Sequence, residues 1–251
     1  MKTCLSSFTA WLWLFTVYGK ASGIILYRIF IGTAFMTKRS SKNITGRKYE
    51  SKKNLVEHRG ELIPINNGPG YGVHMTTLKN SFEQLDRGFD RWGRLLFMTF
   101  VLWPGCSNET NEIMKRFRER VSYQFGKLGL STNDYGFHWC RERTETKTEH
   151  YHLAMWINGN KFNRARTLAA IVRRCWEEIG GTVGASPINS RDEIGDSVGV
   201  SQRRRWWCFV NDAQSRLEVL FWLSYWSKSR SKGLKPAQTK EHGMSRLKPL
   251  P

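Results

Sequence analysis

Apolar residues at helical spacing recur in four segments of the chain. In each, apolar side chains fall three or four positions apart, which places them on one face of a helix. The second segment can be capped by Ser107 or Asn108, and carboxylates in its first turn suit the helix dipole. The four predicted helices are residues 74–92, 108–128, 164–178 and about 213–228.

Four further apolar segments are short and either alternate with polar residues or run continuously, as buried strands do. The polar connector 143–148 joins two of them and predicts a hairpin, whereas the glycine-rich residues 180–202 predict a loop. The four predicted strands are residues 94–103, 135–142, 149–158 and 205–210.

The element order from residue 94 onward is β-α-β-β-α-β, followed by one more helix. This order is that of an α+β, ferredoxin-like or RRM-like fold, in which an antiparallel sheet carries two helices on one face. The additional C-terminal helix is then free to pack on the other face. Because side chains alternate along a strand, Leu153 and Met155 belong to the helix-covered face and His150 and His152 to the opposite one.

Composition divides the chain into four segments. Residues 1–35 form a hydrophobic leader whose apolar runs are shorter than the about 20 residues of a membrane span. This leader is either an upstream mis-start, with Met36 as the true start, or a membrane segment. Residues 36–70 are basic and predicted to be flexible, residues 71–232 form the predicted folded domain, and residues 233–251 form a loose tail.

Charge and cysteine content narrow the partners and the compartment. The chain has 40 Lys and Arg against 21 Asp and Glu, a net charge of +19, which favours nucleic acid as the partner. The five cysteines include no C-x-x-C pair. Both a disulfide framework and a zinc knuckle are therefore disfavoured, and a cytoplasmic protein with reduced thiols is expected.

Two histidines and a carboxylate form a candidate metal site. His150 and His152 share a strand face, and Glu142 lies just before the hairpin connector, so cross-strand pairing can bring all three together. Imidazole and carboxylate ligands alongside phosphate oxygens suit Mg²⁺ or Mn²⁺. His138 shares the face as a competing ligand. In the simpler interpretation, these residues are only polar side chains on a wet surface.

Tyr225 is the candidate nucleophile. Leu217, Phe221 and Tyr225 are spaced four apart on the last predicted helix, and this stripe is expected to face the sheet. A tyrosine at the end of such a stripe is often a core residue whose hydroxyl reaches a partner. Opposite a metal site, its hydroxyl could attack a phosphate, and Lys228, one turn beyond, could stabilise the transition state.

Basic residues next to aromatic ones supply a candidate surface for single-stranded DNA, because cations pair with phosphates and aromatic rings stack on bases. For each of these arginines a solvated surface position is the simpler interpretation. The candidates are Arg203, Arg204 and Arg205, beside two tryptophans, and Arg173 and Arg174 on the third predicted helix.

The stretches "WCRER", "EHYHLAMWINGNKF" and "FWLSYWSKSRSKG" resemble the inovirus replication-protein-like family, also described as the YagK/YfjJ C-terminal domain. In particular, His150-Tyr151-His152 resembles the HUH motif of rolling-circle replication initiators, although the middle residue of that motif is usually aliphatic. The resemblance covers roughly residues 70–232 and does not extend to the leader.

The resemblance implies a metal-dependent endonuclease and strand transferase that initiates replication of a phage or mobile element in a host bacterium. Tyr225 would attack a single-stranded DNA phosphate, leaving a 5′-phosphotyrosine link and a free 3′-hydroxyl. A host helicase or polymerase is then a candidate partner, and no small-molecule cofactor is expected. The alternative function is a non-catalytic nucleic-acid-binding regulator of phage or prophage origin on a similar fold.

Overall fold

The computed structural model describes residues 54–66, 72–106, 110–144, 147–184, 207–229 and 239–249. Within these ranges the chain forms four α-helices and a mostly antiparallel sheet, which confirms the α+β class. The predicted leader 1–35 and the segment 36–53 lie outside these ranges. No helix in the described ranges combines the length and the apolar character needed to cross a bilayer.

The four helices lie within the predicted segments, and their ends differ from the prediction. The second helix begins after Asn111, so the expected caps Ser107 and Asn108 are not its N-cap. Its first turn is instead satisfied locally, since the hydroxyl of Thr110 accepts from the backbone N–H of Glu112 at 3.3 Å. The helices are α1 (Met75–Trp92), α2 (Glu112–Lys127), α3 (Ala165–Glu177) and α4 (Ala213–Ser224).

Two helix ends show why the boundaries fall where they do. α1 stops at Gly93, whose φ of 67° lies in the left-handed region and lets its N–H bond the carbonyl of Phe89 at 2.7 Å. α4 begins with a capping box, in which the carboxylate of Asp212 accepts from the N–H of Ser215 at 2.7 Å. The Ser215 hydroxyl accepts in turn from the N–H of Asp212 at 3.3 Å.

The strands form a separate hairpin and one larger sheet. Of the strands in the described residues, the first two form the hairpin and the other six make the sheet. The strands are β1 (Leu55–His58), β2 (Glu61–Pro64), β3 (Leu95–Trp103), β4 (Tyr135–Thr144), β5 (Lys147–Asn158), β6 (Thr182–Gly184), β7 (Trp207–Val210) and β8 (His242–Met244).

In the larger sheet the order is β6-β3-β5-β4-β8, and β7 also pairs with β3. β6 and β7 share the edge of β3 that β5 leaves open, because β6 pairs with Val101–Trp103 and β7 with Leu95–Met98. Every neighbouring pair is antiparallel. The order β7-β3-β5-β4 therefore places the four predicted strands side by side.

Three regions predicted to lack regular structure contain strands. β1 and β2 lie in the segment predicted to be flexible, β6 in the predicted loop and β8 in the predicted loose tail. The tail is held because the N–H of Arg141 bonds the carbonyl of Glu241 at 2.7 Å, and the N–H of Leu247 bonds Oε1 of Gln84 at 2.6 Å. Strands of three or four residues are too short to show a periodic pattern.

Each face of the sheet has its own apolar core. α2 and α3 cover the face that carries Leu153 and Met155, as predicted from the alternation of β5. The opposite face, which was expected to be free for the C-terminal helix, carries α1 as well as α4, and these helices bury Ala154 and Trp156. Each fully buried large apolar side chain stabilises the fold by about 1.5–3 kcal/mol. The candidate metal ligands therefore lie on a sheet face that helices cover in part.

Candidate active site

The hairpin β4–β5 brings the three candidate metal ligands together. In its register Glu142 lies opposite His150, and Cys140 lies opposite His152. Residues that pair directly across an antiparallel sheet project from the same face. Glu142, His150 and His152 therefore occupy two adjacent rungs of one sheet face, the face on which α1 and α4 pack.

The ligand atoms are close enough to share one ion. Oε2 of Glu142 lies 3.3 Å from Nε2 of His152 and 3.7 Å from Nε2 of His150, and the two Nε2 atoms are 3.2 Å apart. Neighbouring ligands of an octahedral ion with bonds of about 2.1 Å lie about 3 Å apart, so these separations fit. The group could hold a metal ion, and its two imidazoles and one carboxylate suit several divalent transition metals.

Burial distinguishes the three ligands. Glu142 and His152 are buried, whereas the His150 side chain keeps 17% of its surface exposed. The cluster therefore opens to solvent at His150, near the end of the hairpin. A carboxylate taken out of water needs compensating partners, and the two imidazoles and an ion between them would supply these.

The candidate nucleophile, Tyr225, lies next to this cluster, on the same face of the sheet. Tyr225 begins a 3₁₀ turn (Tyr225–Ser227) that continues directly from α4. Its ring lies edge-on to that of His152, with 5.5 Å between the centroids and 75° between the planes. Nζ of Lys228 lies 3.8 Å from the centroid of the Tyr225 ring. The structure thus brings the predicted catalytic pair to the predicted metal ligands.

The direction of α4 differs from the predicted stripe. Leu220 and Leu223 are buried in the core that α4 shares with α1 and the sheet, whereas Leu217 and Phe221 are only half-buried. α4 is apolar on nearly all sides, so the spacing of its apolar residues does not define one face. Tyr225 is consequently half-buried at the border of the packed side.

Backbone hydrogen bonds fix the turn that carries Tyr225. The N–H of His74 donates to the carbonyl of Ser227 at 2.8 Å, and the N–H of Ser229 donates to the carbonyl of Gly72 at 2.9 Å. Val73 pairs with Lys228 in an isolated antiparallel bridge. The segment before α1 therefore clamps the turn on the site face. The sequence gives no local signal for this contact, because the two segments are far apart along the chain.

A buried ion pair lies directly behind the metal ligands. Arg141 pairs with Glu149, and the hydroxyl of Tyr151 donates to Oε1 of Glu149 at 2.9 Å. These residues alternate with Glu142 and His150 along β4 and β5, so they project from the opposite sheet face. The pair ties together the two strands that carry the ligands. Sequence reasoning missed it, although charged residues at positions of the otherwise apolar α2–α3 face were a usable signal.

A second buried network anchors α4. The fully buried carboxylate of Asp86 in α1 accepts from Nε and Nη2 of Arg216, each at 2.7 Å, and from Nε2 of His58, also at 2.7 Å. The hydrogen bonds from Arg216 to Asp86 raise the pKa of the guanidinium further above its usual value, against the effect of burial. The network joins β1, α1 and α4 and so fixes the helix that leads to Tyr225.

The other predicted residues lie elsewhere. Arg173 and Arg174 are exposed on α3, which covers the sheet face opposite the metal ligands. Arg203–Arg205 fall outside the described residues. His138 lies opposite Ala154 and is fully buried, with its ring centroid 6.5 Å from that of His242. Among the described residues, the group that could hold an ion does not include it.

No family model matches the chain, and no curated protein and no solved structure matches it significantly.

Proposed function

We propose that the protein nicks and joins single-stranded DNA, with Tyr225 as the nucleophile and a divalent cation at Glu142, His150 and His152. The observation that carries this proposal is the position of the Tyr225 ring, 5.5 Å from the ring of the candidate ligand His152. A phenol can act as a nucleophile, and a cation beside it would polarise the phosphate oxygens of a phosphodiester. The net charge of +19 suits a polyanionic substrate.

The fold supports the same proposal. We interpret the order β7-β3-β5-β4, with α2 and α3 on one face, as the ferredoxin-like arrangement, and α4 as the additional helix that carries the nucleophile. This is the arrangement that the resemblance to HUH-type initiators implies. The metal ligands then lie on two neighbouring strands of the sheet, and His152 has a paired residue on each side, Val101 in β3 and Cys140 in β4.

The chemistry follows from the residues present. The Tyr225 hydroxyl gives up its proton to water and its oxygen attacks the phosphorus. The bond from phosphorus to the 3′ oxygen breaks, and that oxygen takes a proton from water and leaves as a 3′-hydroxyl. A bound Mg²⁺ or Mn²⁺ would supply Lewis acidity toward the phosphate oxygens. A phenol has an ordinary pKa of about 10, so the phenolate needs help to form. The Lys228 ammonium, 3.8 Å from the ring centroid, favours the phenolate and the charge that develops on the phosphate.

The phosphotyrosine link explains how one site can both cut and join. The link keeps the energy of the broken phosphodiester, so a 3′-hydroxyl can attack it and release Tyr225. Between the two steps, the first 3′-hydroxyl is free to prime synthesis. The biological role that we propose is therefore initiation of rolling-circle replication of a phage or mobile element, in cooperation with a host helicase and polymerase.

Single-stranded DNA labelled at either end tests the proposal. Wild-type protein is incubated with a pool of oligonucleotides and Mn²⁺ and analysed on a denaturing gel. A 5′-phosphotyrosine link requires the 3′ label to migrate with the protein and the 5′ label to be released. Tyr225→Phe must form no adduct, while Tyr123→Phe, at a tyrosine 63% exposed on α2, must behave as wild type.

Two results would contradict the proposal. An adduct formed by Tyr225→Phe would assign the attack to another residue. Binding of single-stranded DNA without any adduct, over varied sequences and with either Mn²⁺ or Mg²⁺, would identify the protein as a non-catalytic nucleic-acid binder.

A further inference from the structure

Trp103 is placed beside the metal ligands without being part of their cluster. It is the last residue of β3, and it is only half-buried, whereas the other eight residues of that strand are buried. Its indole lies 6.3 Å from the ring of His150 between centroids, with the planes tilted by 35°. Val101 lies opposite His152, so Trp103, two residues farther along, projects from the same face.

A glycine in β6 supports the indole. Val101 lies opposite Gly184, and a Cβ atom built on Gly184 would overlap the six-membered ring of Trp103. The indole therefore lies down against the backbone of β6, in space that any other residue at position 184 would take. The backbone of β6 therefore supports one side of the ring, and the indole as a whole stays half-buried.

The backbone of Trp103 is also fixed. Its carbonyl accepts a hydrogen bond from Nε1 of Trp176, in α3, at 2.9 Å. Because its backbone and one side of its ring are already held in place, the indole loses little conformational freedom when a ligand stacks on it. More of the stacking energy therefore contributes to affinity. Across the site face, the order from the β6 edge inward is glycine, indole, imidazoles and carboxylate.

We propose that Trp103 is a stacking platform for the base of the nucleotide next to the phosphate that Tyr225 attacks. The inference rests on the proposed function, from which it takes single-stranded DNA as the ligand. Bases stack on exposed aromatic rings in proteins that bind single strands, with little dependence on sequence. A base held on this indole would position its phosphate towards His150, the exposed member of the metal group.

The test measures binding apart from chemistry. In a Tyr225→Phe background with Mn²⁺ present, the dissociation constant is measured for an oligonucleotide and for versions with one abasic site moved along the strand. Trp103→Ala is expected to weaken binding of the intact strand by about 5- to 150-fold, the range for loss of one stacked base. Trp103→Phe keeps an aromatic face and is expected to stay within about threefold of the parent.

The abasic strands show whether the loss is due to stacking. One abasic position should weaken binding by the parent but not by Trp103→Ala, since the base and the indole lose the same contact. Gly184→Leu, which displaces the indole, should reproduce the effect of Trp103→Ala. Tyr123→Ala removes an exposed aromatic ring from the opposite side of the sheet and should leave both measurements unchanged.

The outcomes separate this inference from the proposed function. An adduct with wild type, together with equal abasic penalties in the parent and in Trp103→Ala, overturns the platform and leaves the nuclease in place. Coupling between Trp103 and one base without any adduct by wild type supports the platform and overturns the nuclease. If the parent protein binds neither the intact strand nor any abasic strand, both the platform and the nuclease are overturned.

Discussion

The ring of Tyr225 meets the ring of His152 edge-on, with 5.5 Å between their centroids, although the two residues come from a helical turn and a strand far apart in the sequence. The contact depends on two features. The register of β4 and β5 determines the position of His152, and the backbone hydrogen bonds of residues 72–74 determine the position of the turn that carries Tyr225. The proposed chemistry therefore depends on groups that touch neither DNA nor metal.

Replacing Lys228 tests the part of the ammonium in the attack. Lys228→Met is expected to slow adduct formation about 100-fold in single-turnover assays, the typical cost of losing one group that stabilises charge in the transition state. Binding of DNA should change much less, because one surface cation among many contributes little to affinity. Lys228→Arg should recover part of the rate.

The chain offers a matched control for this substitution. Nζ of Lys127 lies 4.4 Å from the ring centroid of Tyr123 on α2, the same kind of cation–ring contact away from the site. Lys127→Met should leave the rate of adduct formation unchanged. Equal rate losses in Lys127→Met and Lys228→Met would mean that general charge, rather than the ammonium beside Tyr225, is responsible.

Mn²⁺ binding should stabilise the folded protein, and the amount should depend on the charge of the Glu142 carboxylate. Mn²⁺ at 100 times its dissociation constant contributes about 2.7 kcal/mol, which corresponds to about 5–10 °C in the melting temperature of a chain of this size. Glu142→Gln keeps the shape of the side chain and removes its charge, so most of this shift should disappear. The measurement is a thermal melt with and without Mn²⁺, and EDTA should reverse the effect in wild type.

Glu241 serves as the control, because it is another buried glutamate, next to β8 and outside the three-residue group. Glu241→Gln should keep the full Mn²⁺ shift, whatever it does to the melting temperature of the metal-free protein. A shift that survives in Glu142→Gln would place the ion elsewhere.

The sequence predicts the parts of the fold that have long periodic patterns. The strands 135–142 and 149–158 are predicted from their own residues, and the structure has them within β4 and β5, so the shared face of His150 and His152 follows from counting along the strand. The connector then limits which residues can lie opposite, and Glu142 is found opposite His150. The position of the candidate metal group could therefore be predicted without any long-range information.

The surroundings of this group could not be predicted in the same way. His58, Asp86 and Arg216 meet in one buried network although they are separated by 28 and 130 residues, and no local pattern marks such contacts. α4 shows the other limit, since a helix that is apolar on nearly all sides does not reveal which side packs. β8 is too short to carry a signal, and its pairing depends on the edge that β4 offers.

Loss of the Asp86 carboxylate should destabilise the whole domain. Asp86→Asn removes the buried carboxylate that pairs with Arg216, which is 11% exposed, and leaves its guanidinium the exposed carboxylate of Glu61 at 2.7 Å. Removing one member of a buried ion pair costs about 3–5 kcal/mol. Urea unfolding should show a lower midpoint with an unchanged slope. Asp90→Asn, at an exposed carboxylate of the same helix that pairs with Arg59, should cost less than about 1 kcal/mol.

Asp134 should make stability depend on pH in acid. Burial alone would raise the pKa of this carboxyl, but hydrogen bonds from Lys161 at 3.0 Å and from the N–H and hydroxyl of Ser131 at 2.8 and 2.7 Å outweigh burial and lower it. A group whose pKa is lower in the folded state stabilises the fold above its unfolded pKa of about 3.9, and this stabilisation is lost as the pH falls through the folded pKa.

The free energy of unfolding of wild type should therefore exceed that of Asp134→Asn by about 1–2 kcal/mol at pH 6. The difference should shrink below about pH 4. As a control, Asn133→Ala changes a neutral residue in the same turn, so its effect on the free energy of unfolding should not vary with pH over this range. A difference between wild type and Asp134→Asn that stays constant down to pH 2 would contradict the lowered pKa.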